Sequence, residues 1–346
     1  MEPGCSTVVV PVWNAARWVG ETLASIRAQT ARDWVCVVVD DGSTDDTAQV
    51  VAGVAAADPR VRLVRQRNGG VSAARNTGLA HLPADTSDVA FVDGDDLWHP
   101  HALASLRTAL AARPDACGVT ALARHVDEHG TGVQPGAQEA RLRGRPTVVD
   151  GRLVLLGTER DTDFASLAVA GRIWPPAVGL FRADAVRAVG GFDTTLRIGE
   201  DWDYYLRLAR HGPFAFLDEV VVDYRRHPAS ATADSMSRMV LDLDRVRRKA
   251  WEDPANTTDQ RDAVRVGWRT VSRTALRSSV GEALWAARHR RPDQAVRAAR
   301  SAAVIGASLA GRVPPVPDPR LALARRPMVD ALRRAVARLQ AADGGG

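Results

Sequence analysis

Lysine is almost absent from this chain of 346 residues. Lys249 is the only lysine, and all other members of the 46 Lys and Arg side chains are arginine. No stretch approaches the roughly 18 uncharged apolar residues that a membrane-spanning helix requires. The first residues, Met1 to Ser6, carry no arginine or lysine and lead directly into a strand-like run. We therefore expect neither a secretory signal peptide nor a transmembrane segment.

Cysteine is also scarce, and Cys5, Cys36 and Cys117 are widely separated. An odd, scattered set is not the framework of a disulfide-stabilised secreted domain or of a zinc site. We therefore expect reduced thiols and a cytoplasmic location. With 45% hydrophobic residues, the chain can bury a large core and form one large α/β domain with an appendage, or two domains.

The net charge of +5 combines an acidic part with a basic part. Residues 236–346 contain 22 Lys and Arg against 11 Asp and Glu, a net charge of +11, whereas residues 1–235 contain 24 against 30, a net charge of −6. Such a basic region can attract an anionic membrane surface or a charged partner. It can also be a helical appendage or a homodimer element, and we favour this interpretation over the membrane or partner contact. We find no nucleic-acid-binding motif and expect no nucleic-acid partner.

Strands and helices alternate over residues 1–115. β-Branched runs predict buried strands at 7–12, 35–39, 61–65 and 89–92, and the segments between them have the apolar spacing of helices at 17–29, 48–57, 71–81 and 99–112. This alternation is typical of a Rossmann-like, mainly parallel sheet flanked by helices. In such sheets ligands bind beyond the carboxyl ends of the strands.

The remaining pattern is less regular. It predicts a loop or hairpin at 125–150, strands at 177–182 and 214–222, and helices at 153–170, 184–189 and 202–210. Beyond residue 236 it is helical and arginine-rich, with a stiff proline-rich linker at 313–319, a helical stripe at 329–339 and a disordered glycine-rich C-terminus. We therefore predict an α/β domain at 1–235 followed by a helical appendage at 236–346.

Three carboxylates end the fourth predicted strand in the run Phe91-Val-Asp-Gly-Asp-Asp96. Folding would crowd Asp93, Asp95 and Asp96 together, which is costly unless they share a cation. Oxygen ligands at this density suit Mg²⁺ or Mn²⁺. The alternative is a solvated turn, because Asp-Gly-Asp is also ordinary turn chemistry.

Other polar groups also follow predicted strands or open helices. Asp40-Asp41 can accept hydrogen bonds from a ribose or a base, or they can cap the next helix. Gly69-Gly70 precedes a helix whose N-terminus can hold an anion, and Arg75 can bind a base or phosphate or be a plain surface arginine.

Two segments nearer the end of the α/β region carry further candidates. Glu200 and Asp201 lie beside Trp202, where one of them can act as a general base with a tuned pKa. They can also simply favour the helix macrodipole. His227 can be a metal ligand, although a lone histidine is more often structural.

The order of these motifs resembles family 2 glycosyltransferases over roughly residues 6–230. The matching segments are Val10-Pro-Val-Trp-Asn14, Ser25 to Thr30, Val38 to Thr47, Asn68 to Gly78, Phe91 to Asp96 and Gly191 to Arg207. Trp13 departs from the tyrosine that is common in the family, and both side chains are flat and amphipathic. The resemblance implies a GT-A fold and transfer of a sugar, with inversion, from a nucleotide-sugar donor. It favours a UDP-sugar and leaves a saccharide, lipid-linked or small-molecule acceptor open.

The resemblance also implies roles for individual residues. The donor would contact Pro11, Val12, Asn14, Asp40, Asp41, Arg75, Asp93 and Gly94. A divalent ion, Mn²⁺ or Mg²⁺, would be bound by Asp95 together with Asp93 and His227. Asp201 would be the catalytic base with Glu200 beside it. The nucleotide sugar would bind to residues 1–115 and the acceptor to residues 116–235.

Competing functions remain open from sequence. A sugar-phosphate nucleotidyltransferase should have a glycine-rich basic loop after the first strand, which the segment Trp13 to Arg17 lacks. A phosphatase of the Asp-x-Asp type should carry its nucleophile after the first strand, whereas the motif here follows the fourth. A nucleotide-sugar-binding scaffold without activity would have no need of Asp93, Asp95 and Asp201.

Overall fold

The computed structural model describes residues 4–132, 145–149, 152–156, 160–170, 173–227 and 236–311. The chain divides into two compact units, Met1–Ala233 and Asp234–Gly346. The predicted proline-rich linker, the helical stripe at 329–339 and the C-terminal glycines lie outside the described residues.

The first unit is built on a mixed sheet. Its strands are β1 Cys5–Val12, β2 Trp34–Asp40, β3 Val61–Arg65, β4 Thr86–Phe91, β5 Leu97–Trp98, β6 Gly118–Val126, β9 Gly179–Arg182 and β10 Phe214–Arg225, and a separate hairpin is formed by β7 Arg145–Val149 and β8 Arg152–Leu156. The eight strands of the sheet follow the order β3-β2-β1-β4-β9-β6-β10-β5. The helices are α1 Val19–Arg27, α2 Thr47–Ala57, α3 Val71–Ala80, α4 Ala102–Ala111, α5 Phe164–Ala170, α6 Ala183–Val189 and α7 Glu200–Leu208.

The N-terminal half of the sheet has the predicted parallel arrangement. β1 pairs in parallel with β2 and β4, and β2 pairs in parallel with β3. Val8, Val9 and Val10 are completely buried, as expected for a central strand that is covered on both faces. The predicted strands and helices of residues 1–115 are confirmed, with boundaries that differ by at most three residues. The carboxyl ends of β1, β2 and β4 therefore meet at one edge.

The C-terminal half of the first unit adds antiparallel strands to the predicted, mainly parallel sheet, and it corrects one predicted helix. β9 lies antiparallel to β4 and β6, and β5 lies antiparallel to β10, so the sheet is mixed and its parallel pairs are interrupted. The helix predicted at 153–170 is wrong in its first part, because residues 152–156 form β8. Four consecutive apolar residues fit either a helix or a strand, and the pairing with β7 decides between them. β6 was not predicted as a strand.

The second unit is helical in its described part, as predicted. It contains α8 Met236–Glu252, α9 Thr258–Arg288 and α10 Pro292–Gly311. α9 begins with a capping box between Thr257 and Gln260, which satisfies backbone donors that the first turn leaves unpaired. Among the described residues, no helix has both the length and the apolar content needed to cross a membrane.

The packing of α3 on β1 provides a stability test. A Cβ atom at Gly78 would overlap the Cγ1 methyl group of Val9, which is completely buried. We predict that Gly78→Ala lowers the free energy of unfolding by about 1–3 kcal/mol, the usual cost of overpacking a core. Gly53→Ala, at an exposed position of α2, meets no atom within 4 Å and should be neutral or stabilising by up to about 1 kcal/mol. Equal stability of the two variants in urea unfolding would contradict this packing.

Candidate active site

The carboxylate of Asp41 holds the loop that leads into α3. It accepts hydrogen bonds from the side chain of Gln66 at 2.7 Å and from the backbone N–H groups of Gly69 and Gly70, each at 2.8 Å. Both oxygens are therefore bonded within the protein, and the residue is 3% exposed. The carboxylate thus fixes the start of α3, a task that its sequence motif did not indicate.

Asp40 and Asn14 join the loops that follow β2 and β1. Asp40 is completely buried, and its carboxylate accepts a hydrogen bond from Ser43 N–H and from Arg65 Nε, each at 2.9 Å. The side-chain oxygen of Asn14 accepts from the N–H of Thr44 at 2.9 Å. Asn14 has a φ of +48°, a left-handed conformation that asparagine tolerates better than most residues. These bonds give the loops around the predicted nucleotide pocket a fixed shape.

Gly94 lies against the end of β1, beside the other two predicted donor contacts. A Cβ atom there would lie 2.6 Å from Cγ1 of Val12 and 3.5 Å from the carbonyl oxygen of Pro11. The glycine between Asp93 and Asp95 therefore lets the acidic turn approach β1 closely, and all of these residues lie at the carboxyl edge of the sheet.

Arg75 connects two predicted parts of the site. It lies on α3 with a side chain that is 2% exposed, and it donates from Nη2 to Asp93 and from Nη1 to Glu200, each at 2.8 Å. Burial alone would lower the pKa of this guanidinium, but the carboxylates of Asp93 and Glu200 outweigh it and raise the pKa. The guanidinium thus binds the acidic turn after β4 to the first residue of α7.

Asp201 lies in the first turn of α7, next to Glu200. The helix starts after Gly199, whose φ of +79° is a left-handed conformation that glycine adopts without strain. Burial and the neighbouring carboxylate of Glu200 raise the pKa of Asp201 to about 7, and Arg75 opposes this shift. A carboxyl group with a pKa near neutrality can exchange a proton at physiological pH.

Asp95 and His227 are brought together from distant parts of the chain. Nε2 of His227 lies 2.8 Å from Oδ2 of Asp95. Burial and the charge of Asp93 raise the pKa of Asp95, while His227 opposes the shift. Within the described parts of the chain, no group of three or more histidine, cysteine or acidic side chains is arranged to hold a metal ion. Of the three predicted ligands, Asp95 and His227 are thus in contact, and Asp93 is bound to Arg75.

Arg225 supports the acidic turn that follows β4. The sequence did not predict this role. The side chain of Arg225 is 3% exposed, and it donates from Nε to the carbonyl oxygen of Asp95 at 3.1 Å and from Nη2 to Glu21 at 2.5 Å. Its backbone N–H also reaches Oδ1 of Asp96 at 3.3 Å. Burial and the charges of Asp95 and Asp93 raise the pKa of Asp96 well above its usual range. The third carboxylate of the turn is therefore enclosed and structural.

Asn76 fixes the segment that precedes α7 and was also missed. Its amide donates to the carbonyl oxygen of Phe192 at 2.9 Å and accepts from the N–H of the same residue at 2.6 Å. Any side chain at Gly191 would collide with this amide. Arg75 and Asn76 are adjacent on α3, and adjacent helical residues do not share a face, so nothing local in the sequence names their partners.

Comparison with known proteins shows which family the α/β part of the chain resembles. The family model described as glycosyl transferase family 2 matches residues 7–150. This part of the chain is thus similar to family 2 glycosyltransferases. One relative of this chain, the succinoglycan biosynthesis protein ExoW of Rhizobium meliloti (strain 1021), is 44% identical over 96 residues, which are 27% of this chain and 30% of ExoW. The chain spans less than two thirds of the length of such relatives.

Two solved structures resemble this chain over nearly its whole length. S. aureus TarS 1–349, in complex with UDP-GlcNAc, has a TM-score of 0.60 at 16% identity, covering 97% of this chain and 89% of that chain. The mannosyltransferase PcManGT from Pyrobaculum calidifontis, in complex with GDP-Man and Mn²⁺, has a TM-score of 0.60 at 20% identity, covering 98% and 85%. At these identities the likeness concerns the fold. The predicted GT-A fold is confirmed.

The raised pKa of Asp201 predicts a pH-dependent stability. Because the folded state holds this proton more tightly than the unfolded chain, stability falls as pH rises from the usual aspartate value near 3.8 to about 7. Asp201→Asn removes this loss and retains an oxygen for the N–H of Trp202, which donates to the carboxylate at 2.7 Å. We predict that the variant melts above the wild type at pH 8 and close to it at pH 4.

The matched control for this measurement is a carboxylate with the opposite shift. The hydrogen bonds from Arg60 hold the pKa of Asp58 below its usual range, so Asp58→Asn should melt below the wild type at pH 8. If Asp201→Asn has the same melting temperature as the wild type at both pH values, the assigned environment of Asp201 is wrong.

Proposed function

We propose that this chain is an inverting glycosyltransferase that moves a sugar from a nucleotide-diphosphate sugar to a hydroxyl group. The observation that carries the proposal is the double ion pair of Arg75, since it joins Asp93 of the acidic turn to Glu200 beside Asp201. The guanidinium of Arg75 is suited to bind a donor phosphate. It thereby lies near the carboxyl group of Asp201, which is suited to accept a proton. The family match of residues 7–150 and the GT-A fold support the same reaction class.

The donor would bind at the carboxyl edge of β1, β2 and β4. We assign its nucleotide to the surface formed by the loops that contain Asn14, Asp40 and Asp41, with Pro11, Val12 and Gly94 beneath them. Asp40 and Asp41 accept hydrogen bonds from the surrounding backbone. We therefore propose that they fix the shape of these loops and also contact the base or ribose. TarS binds UDP-GlcNAc and PcManGT binds GDP-Man, and we propose a UDP-sugar first.

A divalent ion fits the donor set of the acidic turn. Asp95 and His227 offer one carboxylate and one imidazole 2.8 Å apart, which leaves the other coordination positions to phosphate oxygens and water, as Mg²⁺ and Mn²⁺ commonly require. The Mn²⁺ in the structure of PcManGT supports this proposal. When bound, the ion would neutralise the charge that develops on the leaving diphosphate. Asp93 would orient this turn through Arg75.

Asp201 would accept the proton of the acceptor hydroxyl. With a pKa of about 7, a substantial fraction of this carboxyl is ionised at neutral pH, yet it is basic enough to take a proton as the hydroxyl attacks the anomeric carbon. One such displacement inverts that carbon. Glu200 is bound to Arg75 and would position the helix turn that carries Asp201. The acceptor is a saccharide, a lipid-linked saccharide or a small molecule.

We propose a cytoplasmic protein whose residues 236–346 are a helical appendage. A peripheral contact with an anionic membrane and a homodimer are the two further roles that the net charge of +11 in this region allows.

The base assignment predicts a large loss of turnover. Asp201→Asn should lower kcat for transfer by about 10²–10⁴-fold, because general-base catalysis contributes about this much. The donor is found first by screening UDP- and GDP-sugars for hydrolysis by the purified full chain. Asp203→Asn is the matched control. It removes a carboxylate of the same helix, and that carboxylate lies 3.0 Å from Nε of Arg207. Near-wild-type turnover of Asp201→Asn would refute the base assignment.

The same assay tests the metal. Treatment with EDTA should abolish donor hydrolysis and transfer, and added Mn²⁺ or Mg²⁺ should restore them. Undiminished transfer in the chelator would remove the ion from the mechanism while leaving the role of Asp201 to be judged by its own variant.

A further inference from the structure

We propose that Trp18 is a positioning residue that holds the imidazole of His227 against the carboxylate of Asp95. The inference rests on the proposed function, because it gives this tryptophan a purpose at the site proposed for the donor's divalent ion. Trp18 itself contacts neither of the groups that would react.

The ring geometry is the first observation. The indole of Trp18 and the imidazole of His227 stack with ring centroids 4.0 Å apart and an interplanar angle of 23°. The edge of the same imidazole lies 2.8 Å from Asp95 through Nε2. A stack fixes the plane of a histidine ring, and a bond from one nitrogen fixes its direction within that plane. Together the two contacts determine where Nε2 lies.

The tryptophan is itself held in place. The guanidinium of Arg17 lies 5.0 Å from the centroid of the Trp18 ring, and it forms an ion pair with Glu128 at 2.8 Å. The indole N–H of Trp18 has no hydrogen-bond partner among the described residues. The ring therefore contributes contact area and planarity rather than a hydrogen bond, and a phenylalanine should replace much of its effect.

The backbone that carries His227 is anchored by the same helix. Arg225, two residues earlier, is bonded to Glu21 of α1 and donates to the carbonyl oxygen of Glu128 at 3.0 Å. Trp18 is the residue that precedes α1, and Glu21 lies in the first turn of this helix. Trp18 thus contacts His227 and Glu21 contacts Arg225. The start of α1 therefore holds the end of β10 and the residues after it in place beside Asp95.

The test is Mn²⁺ binding by the purified full chain, measured by electron paramagnetic resonance of the unbound ion with and without UDP. Trp18→Ala should weaken Mn²⁺ binding by about 10–100-fold, the usual effect of removing a group that orients a metal ligand. Trp18→Phe should stay within about threefold of the wild type. In a His227→Ala background, Trp18→Ala should cause no further loss, because the ring that it orients is gone.

A second measurement needs no metal. In ¹H–¹³C spectra of the histidine side chains, the His227 resonance, assigned with His227→Ala, should be shifted upfield by the indole ring current and should lose this shift in Trp18→Ala. An unchanged resonance, or an equal loss of Mn²⁺ affinity from Trp18→Ala with and without His227, would overturn the positioning role. If the wild type shows the ring-current shift but neither binds Mn²⁺ nor transfers sugar, the proposed function fails while the stack remains.

Discussion

The guanidinium of Arg75, buried between Asp93 and Glu200, is the interaction on which the candidate site depends. One cation there faces the carboxylates of Asp93, Glu200 and Asp201, so it cannot compensate all of them. Asp93 and Glu200 take its two direct bonds. Asp201, buried beside Glu200, is left with a raised pKa of about 7. Burial and the charge of Glu200 thus raise the pKa of Asp201, and Arg75 keeps it from rising further.

This assembly requires α3 to lie close to the sheet. Gly78 has no room for a side chain against β1, and Gly94 has none against Val12. Asp41 fixes the start of α3 through the N–H groups of Gly69 and Gly70, and Asn76 binds the segment before α7. Each of these contacts sets the position of Arg75 relative to its two carboxylates. The stability of the fold and the geometry of the site thus share the same residues.

Much of this could be predicted from the sequence where the signal is local. The strands and helices of residues 1–115 follow from apolar periodicity. The rule that ligands bind at the carboxyl ends of parallel strands indicates that the acidic residues there belong to one site. The antiparallel strand β9, the hairpin strand β8 and the partners of Arg75, Asn76 and Arg225 depend on residues far away in the chain. Periodicity contains no information about such pairings. The stack of Trp18 on His227 joins residues more than two hundred positions apart, and no local pattern could reveal it.

The central claim is that Arg75 both joins the two halves of the site and lowers the pKa of Asp201. The most direct test is the pH dependence of kcat/KM for sugar transfer in Arg75→Gln, with a folded state confirmed by its cooperative thermal unfolding. In the wild type the acidic limb should have a midpoint near pH 7. Loss of the positive charge should move this midpoint to higher pH and lower the maximal rate. A midpoint that stays unchanged in the variant would contradict the account.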